Sequence, residues 1–209
     1  MSTTSAAGRS GPQSESTGNG SHPHGCPAAQ QSWNAQYRSG LWDDLDSAER
    51  SALYLTICEL YQRHVGDGAL LDIGCGSGML YQYLTEHASL HSACYTGVDV
   101  ADDAIRCATA SFPGVRISRR DYDSESVGSR FDCVIFNDSL QCFDNPRAIL
   151  EKCTRDNLHP CSVLIVAMSG WEHAALWELL EHRCQLLDQR DGYGDDGGAW
   201  TVRVYKVPC

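Results

Sequence analysis

The sequence lacks any apolar run near the roughly 18 residues that a membrane-spanning helix needs. Its N-terminus also lacks the basic-then-apolar order of a signal peptide. Positive charge is scarce, because 16 Lys and Arg stand against 27 Asp and Glu and leave a formal net charge of −11. Binding to a phosphate backbone requires clustered Lys and Arg. We therefore predict a soluble, cytoplasmic protein without a membrane or nucleic-acid partner.

Paired cysteine motifs are absent as well. The chain has 11 cysteines, an odd number, and no Cys-x-x-Cys pair. A free thiol within an apolar run behaves as a small hydrophobic group, and four cysteines lie in such runs: Cys133, Cys142, Cys153 and Cys161. The pattern predicts free thiols in a reducing compartment rather than a disulfide framework.

Aliphatic periodicity is missing from residues 1–30, which are rich in Ser, Gly, Thr and Pro. Such a segment cannot bury enough apolar surface to offset the entropy lost on ordering. We predict a disordered tail over residues 1–30 and one domain over residues 31–209. His22, His24 and Cys26 in the tail have no fourth ligand at a matching spacing, so we expect no metal site.

Helical and strand-like segments alternate over the rest of the chain. The apolar segments ALLDIG, CYTGVDV, VRISRRD, FDCVIFND and CSVLIVAMS are separated by amphipathic ones, and Asp46 or Ser47 can cap a helix that precedes them. The last two strand-like segments, CQLLDQR and TVRVYKV, are joined by the glycine-rich DGYGDDGGAW and indicate an antiparallel hairpin. These patterns predict an α/β fold with a Rossmann-like, doubly wound, mostly parallel sheet of seven strands.

The segment LLDIGCGSG places an acid and three glycines at the end of a buried strand. Gly74, Gly76 and Gly78 can adopt positive φ and put no Cβ between the backbone and a ligand, and ligands bind at this end of such strands. A dinucleotide site would need a third glycine where Met79 stands, and a phosphate loop would need Gly-Lys-Ser/Thr. The carboxylate of Asp72 instead suits a ligand with an ammonium group.

At this segment the sequence resembles the class I S-adenosylmethionine-dependent methyltransferases, whose first motif it matches at nearly every position. YTGVDV resembles the second strand, whose acid, here Asp99, binds both ribose hydroxyls. ISRRDYD places Asp121 where the family has an acid beside the adenine amino group. FDCVIFNDSLQCFDNP resembles the fourth-strand motif. The resemblance extends from about Trp33 to Val207 and implies S-adenosylmethionine as cofactor, bound by Asp72, Gly74, Cys75, Gly76, Gly78, Asp99, Val100, Asp121, Tyr122 and Asn137.

Each acid also has an interpretation that needs no ligand. Asp72 could cap the next helix, Asp99 could be a turn residue and Asp121 a solvated loop acid, since Asp is common in turns. Turn chemistry explains Asn137 and Asp138 about as well as catalysis does. The joint occurrence of three acids and three glycines at strand ends favours a binding site.

The chemistry that the resemblance implies is an in-line displacement of a methyl group from a sulfonium. Alignment is its main requirement, and a general base is optional for a nucleophile that is already deprotonated. Tyr37, Asp138 and His173 are the candidate catalytic residues. NDSL replaces the Asn-Pro-Pro-Tyr motif of enzymes that methylate planar nitrogens, and no recognition domain is evident. We therefore expect a small-metabolite acceptor with an O or N nucleophile, in natural-product biosynthesis.

Two other functions stay open. A non-catalytic S-adenosylmethionine-binding or sensor protein would have the same pocket, whereas the glycine spacing disfavours a nicotinamide-dependent reductase. The segment SWNAQYRSGLWDDLD is unusually aromatic for a linker. Its aromatic residues either pack the first helix onto the sheet or form a lid over the strand ends. The oligomeric state is not predicted.

Overall fold

The computed structural model describes residues 27–42, 48–170, 173–194 and 197–209. Within these ranges no helix is long and apolar enough to cross a membrane. The helices are α1 (Pro27–Arg38), α2 (Ala48–His64), α3 (Met79–His87), α4 (Asp102–Ser111), α5 (Pro146–Lys152) and α6 (Ala174–Glu181). The strands are β1 (Leu70–Ile73), β2 (Tyr95–Asp99), β3 (Arg116–Arg119), β4 (Phe131–Asn137), β5 (Leu158–Ser169), β6 (Gln185–Tyr193) and β7 (Ala199–Lys206).

The seven strands form one sheet in the order β3-β2-β1-β4-β5-β7-β6. β1 pairs in parallel with β2 on one side and β4 on the other, so the strand order reverses between β1 and β4. β7 runs antiparallel to both β5 and β6. The predicted doubly wound sheet and its C-terminal antiparallel hairpin are confirmed. Ligands of such sheets bind at the carboxyl ends of the strands beside this reversal.

Helices cover both faces of the sheet, because alternate strand residues point to opposite sides. One core cluster joins Leu70 and Ile135 to the apolar sides of α2 and α3, and the other joins Leu71 and Phe136 to α5 and α6. The apolar face of α2 predicted from its spacing is buried, with exposed fractions of 3% or less, and consists of Leu53, Ile57, Leu60 and Tyr61.

Helix α1 begins at Pro27, inside the stretch that the composition assigned to a tail. Contacts with α4 hold it: Gln30 Nε2 donates to Asp102 Oδ2 at 2.8 Å, and Asn34 Oδ1 accepts from the Asp103 N–H at 3.0 Å. Such contacts leave no periodic signal in the sequence. Residues 1–26, with His22, His24 and Cys26, lie outside the described residues, as do residues 43–47 with Asp46 and Ser47.

The hairpin has a shorter loop than its glycine-rich connection suggested, because β6 continues to Tyr193 and β7 starts at Ala199. Gly192 fits within β6 because the Trp200 ring occupies the space that a Cβ would need. Helix α5 ends at Lys152 and passes into a π-helical turn over Cys153–Asn157.

The prediction of free, buried thiols is wrong for Cys161. This residue is exposed and forms a disulfide with Cys209, with the two Cα atoms 4.4 Å apart. The end of the chain lies against the start of β5, where the Cys161 N–H donates to the Pro208 carbonyl at 3.3 Å. Cys133 and Cys153 are buried and free as expected, and Cys142 is free and half-buried.

Candidate functional site

The glycine-rich turn between β1 and α3 has left-handed backbone at all three glycines, with φ of 80° at Gly74, 55° at Gly76 and 89° at Gly78. At two of them, neighbouring side chains of the protein occupy the space that a Cβ would need. A Cβ on Gly74 would lie 2.5 Å from the Ser139 Cβ, and one on Gly78 would lie 2.8 Å from the Phe112 ring. These two glycines therefore pack the turn against the β4 end and α4.

Gly76 is approached by Tyr37 of α1, whose Oη lies 2.7 Å from the position of a Cβ on this glycine. Burial and the nearby Asp99 raise the pKa of the Tyr37 hydroxyl far above its usual value, so it stays protonated. The Tyr37 ring packs on Trp42, with the centroids 6.2 Å apart. Helix α1 thus lies directly over the glycine-rich turn.

Asp72 is buried beside this turn, with an exposed fraction of 1%. The Tyr95 hydroxyl donates to its Oδ2 at 2.7 Å, while its Oδ1 is buried without a hydrogen-bond partner. Burial raises the pKa of this carboxyl to about 7, with a further rise from Asp99, although the Tyr95 hydrogen bond opposes the shift. A buried unpaired carboxylate oxygen is costly unless a ligand supplies a donor. Asp72 does not cap α3, whose first turn has Gly78 at its N-cap.

Asp99 at the end of β2 is half-buried, and its carboxylate joins the glycine-rich turn to the start of α4. Its Oδ2 accepts from the Gly76 N–H at 3.0 Å and its Oδ1 from the Ala101 N–H at 2.8 Å. Burial raises the pKa of this carboxyl, and the N–H bonds oppose the rise. Each oxygen keeps further lone-pair capacity. The neighbouring Val100 and Cys75 are buried.

Asp121 and Tyr122 follow β3, and both side chains are buried. The Asp121 carboxylate accepts from the Asp123 N–H at 3.1 Å and from the Ser124 hydroxyl at 2.7 Å. The Tyr122 hydroxyl donates to Asn157 Oδ1 at 2.7 Å in the core beneath. Only the backbone of Tyr122 and the remaining lone pairs of Asp121 are therefore suited to contact a ligand.

The end of β4 has both an unpartnered and a fully bonded polar group. Asn137 Oδ1 is buried without a partner, as is Gln141 Oε1. Asp138, at a φ of 50°, accepts from the Ser169 N–H at 2.6 Å, the Ser169 hydroxyl at 2.7 Å and Gln141 Nε2 at 3.3 Å. Asp138 thus joins the ends of β4 and β5.

His173 lies at the N-cap of α6, and its Nε2 is 2.8 Å from the Ser169 carbonyl oxygen. Because a carbonyl only accepts, Nε2 carries the proton in this contact and Nδ1 of the neutral ring is the free acceptor. Asp138 and His173 therefore meet at Ser169, while Tyr37 lies over the glycine-rich turn.

Two residues at the site have no counterpart among the sequence predictions. Buried Ser139 donates its hydroxyl to the Ile73 carbonyl at 2.5 Å and so joins the ends of β4 and β1. Lys152 at the end of α5 donates to backbone carbonyls of the segment after β3. The position of Ser139 directly after Asn137 and Asp138 is a signal that could have identified it, but no sequence pattern relates Lys152 to the segment after β3.

Within the described ranges, no group of three His, Cys, Asp or Glu residues is arranged to hold a metal ion.

The profile of a family described as a methyltransferase domain matches residues 71–160, from β1 into β5. Among solved structures, the N-methyltransferase NodS from Bradyrhizobium japonicum WM9 in complex with S-adenosyl-L-homocysteine superposes with a TM-score of 0.69 at 18% identity, covering 86% of this chain and 98% of that one. The 1,6-didemethyltoxoflavin-N1-methyltransferase from Burkholderia thailandensis, with 1,6-didemethyltoxoflavin and S-adenosylhomocysteine bound, gives a TM-score of 0.67 at 18% identity, covering 87% of this chain and 88% of that one.

The [4+2]-cyclase SpnF gives a TM-score of 0.58 at 17% identity, covering 75% of this chain and 81% of that one. No curated protein sequence matches the chain. Likeness at such identities establishes the fold, and the family match adds the domain type. The chain thus has the α/β fold of the class I methyltransferases, and its residues 71–160 match a methyltransferase domain.

Proposed function

We propose that this protein is an S-adenosylmethionine-dependent methyltransferase, with S-adenosylmethionine as its methyl donor, and that it methylates an O or N nucleophile of a small metabolite in natural-product biosynthesis. The observation that supports the cofactor site best is the pair of unpartnered oxygens Asp72 Oδ1 and Asn137 Oδ1. Asp72 is opposite Ile135 in the β1–β4 register, and Asn137 follows two residues later on the same face of β4. An ammonium group has three donors and no acceptor, so it suits two unpaired acceptors on the same face of the sheet.

The residues present therefore fit the cofactor. The proposed binding residues are Asp72, Gly74, Cys75, Gly76, Gly78, Asp99, Val100, Asp121, Tyr122 and Asn137. Asp72 and Asn137 would receive the ammonium group, and Asp99 would accept from the two ribose hydroxyls. Gly74 and Gly78 would act by shaping the turn, and Tyr122 by anchoring the segment that carries Asp121. When bound, the cofactor supplies an electrophilic methyl group on a sulfonium.

On the acceptor side, the proposed residues are Tyr37, Asp138 and His173. The protonated Tyr37 hydroxyl can donate a hydrogen bond that orients the acceptor, and His173 Nδ1 can receive a proton. Asp138 already accepts three hydrogen bonds, so we assign it a positioning role. This set favours an acceptor that is nucleophilic without a strong base, such as a neutral amine or a phenolate.

The domain organisation stays a proposal too: a tail that ends before α1, then one methyltransferase domain in which α1 caps the strand ends. Closure of such a cap would exclude water and align the acceptor. A similar fold occurs in the toxoflavin enzyme, whose structure contains the small molecule 1,6-didemethyltoxoflavin, and this supports a metabolite acceptor.

Calorimetry with S-adenosylhomocysteine and NAD, followed by incubation of a metabolite extract with a methyl-labelled donor, tests the proposal. We expect binding of S-adenosylhomocysteine, no binding of NAD and a labelled product below about 1 kDa, the size range of ligands that such pockets hold. Labelled protein or RNA in place of a metabolite would contradict the small-molecule acceptor. Binding without any labelled product across extracts would favour the non-catalytic sensor.

A further inference from the structure

Three backbone carbonyls converge on one lysine below the segment that follows β3. Lys152 Nζ donates to the carbonyls of Tyr122 at 2.5 Å, Asp123 at 3.3 Å and Glu125 at 2.7 Å. An ammonium has three donors, and here each has its own acceptor. The Nζ also lies 4.8 Å from the centroid of the Tyr122 ring, within the range of a cation–π interaction.

The segment that Lys152 holds is a tight turn built around the Asp121 carboxylate. The Glu125 N–H closes it by donating to the Asp121 carbonyl at 2.8 Å, and Asp123 N–H and Ser124 hydroxyl donate to the two carboxylate oxygens. The local bonds fix the shape of the turn. The contacts from Lys152 tie the carbonyls of the turn to α5, and together with the hydrogen bond from the Tyr122 hydroxyl to Asn157 they fix the position of the turn relative to the sheet.

From this geometry we infer that Lys152 is a positioning residue for adenine recognition, holding the Asp121 turn where the carboxylate can accept from the adenine amino group. The inference rests on the proposed role of Asp121. Fixed placement of the carboxylate is needed because a hydrogen bond weakens steeply with misalignment. Lys152 touches neither reacting atom, and its effect is on the discrimination between ligands that differ at this amino group.

The chain offers a matched control, since it contains only two lysines, Lys152 and Lys206. Lys206 is on β7, far along the sheet from β3, and its neighbours in the register are Val163 and Gln185. Lys152→Met and Lys206→Met thus remove the same charge from different ends of the sheet. Lys152→Arg keeps the charge but presents its donors in a planar fork that does not match three converging carbonyls.

The test compares the Kd values of S-adenosylhomocysteine and S-inosylhomocysteine, in which a carbonyl oxygen replaces the adenine amino group. The unaltered protein should prefer S-adenosylhomocysteine by about tenfold or more, the size of a hydrogen bond to a charged group. Lys152→Met should bring the ratio of the two Kd values to within about threefold of unity, Lys152→Arg should give an intermediate ratio, and Lys206→Met should leave the ratio unchanged.

An unchanged ratio in Lys152→Met, with both ligands weakened equally, would mean a merely structural role and overturn the inference. A ratio near unity in the unaltered protein would overturn it as well, because Asp121 would then not read the amino group. Absence of binding by either ligand to the unaltered protein would overturn the cofactor site itself, which is a distinguishable failure. If Lys152→Met does not fold, the Lys152→Arg ratio decides between the same outcomes.

Discussion

The acids at the carboxyl ends of β1 and β2 differ from the acid at the end of β4 in how many hydrogen bonds their carboxylates already accept. At β1 and β2, Asp72 has one oxygen without a partner and Asp99 has one N–H bond to each oxygen. At β4 and β5, Asp138 accepts three hydrogen bonds and joins two strand ends. In sequence all three are simply acids at strand ends. The unused capacity for hydrogen bonds separates an acid that can receive a ligand from one that builds the loop.

The largest expected effect concerns Asp72 and its pKa of about 7, against an ordinary value of 3.8. A carboxyl whose pKa is raised in the folded state loses stability as pH rises between those two values, because ionisation is more favourable in the unfolded chain. The free energy of unfolding of Asp72→Asn should therefore exceed that of the unaltered protein by an amount that grows as the pH rises from about 4 to 7. At pH 8 the difference should reach up to about 4 kcal/mol. Denaturant titrations at pH 5 and 8 measure the difference.

The same variant should bind S-adenosylhomocysteine more weakly and without the rise in affinity that ionisation of Asp72 gives the unaltered protein as the pH increases through about 7. Stability and affinity would thus change in opposite directions, as expected for a carboxylate that destabilises the fold by its burial but contributes to ligand binding. Equal stability of the two proteins at both pH values would contradict the account of Asp72.

A comparison of Asp99→Ala with Asp138→Ala tests the difference between the two edges directly. Asp99→Ala should weaken S-adenosylhomocysteine binding by about 1.5–3 kcal/mol, the range for hydrogen bonds to a charged group. Asp138→Ala should leave this affinity within about threefold while it lowers the melting temperature, because Ser169 and Gln141 lose their acceptor. Calorimetry and thermal unfolding give both quantities. Similar losses of affinity would abolish the distinction.

Gly76→Ala sharpens the first half of the comparison, with Gly114→Ala as its control. Both glycines have positive φ, but a Cβ on Gly114 meets nothing within 4 Å, whereas one on Gly76 lies 2.7 Å from Tyr37 Oη. Each variant should lose about 1–2 kcal/mol of stability from the left-handed backbone. Only Gly76→Ala should also weaken S-adenosylhomocysteine binding, as measured by calorimetry. A control that weakens binding equally would point to backbone strain alone.

The sheet, its hairpin and the glycine-rich turn could be predicted because local signals encode them: strand runs such as ALLDIG, and glycines at three alternate positions. The close approach of Gly74 to Ser139 and the contact of Lys152 with the Tyr122 carbonyl could not, since they depend on how distant segments meet. Helix α1 was missed for the same reason. Its polar contacts are with Asp102 and Asp103 of α4, about 70 residues further along the chain.

The smallest effect is expected for Tyr37→Phe, which tests whether α1 belongs to the ligand edge or only to the core. The ring packs on Trp42 in either case, so the melting temperature should stay within about 2 °C, which corresponds to at most about 1 kcal/mol in a domain of this size. If α1 is a lid, loss of the hydroxyl near Gly76 should lower turnover with the acceptor found by labelling. Bound S-adenosylhomocysteine should also slow hydrogen exchange over residues 33–42, with residues 53–61 of α2 as the internal control. Equal exchange in residues 33–42 with and without ligand would identify the aromatic residues as core, because a lid that contacts the ligand must gain protection when it binds.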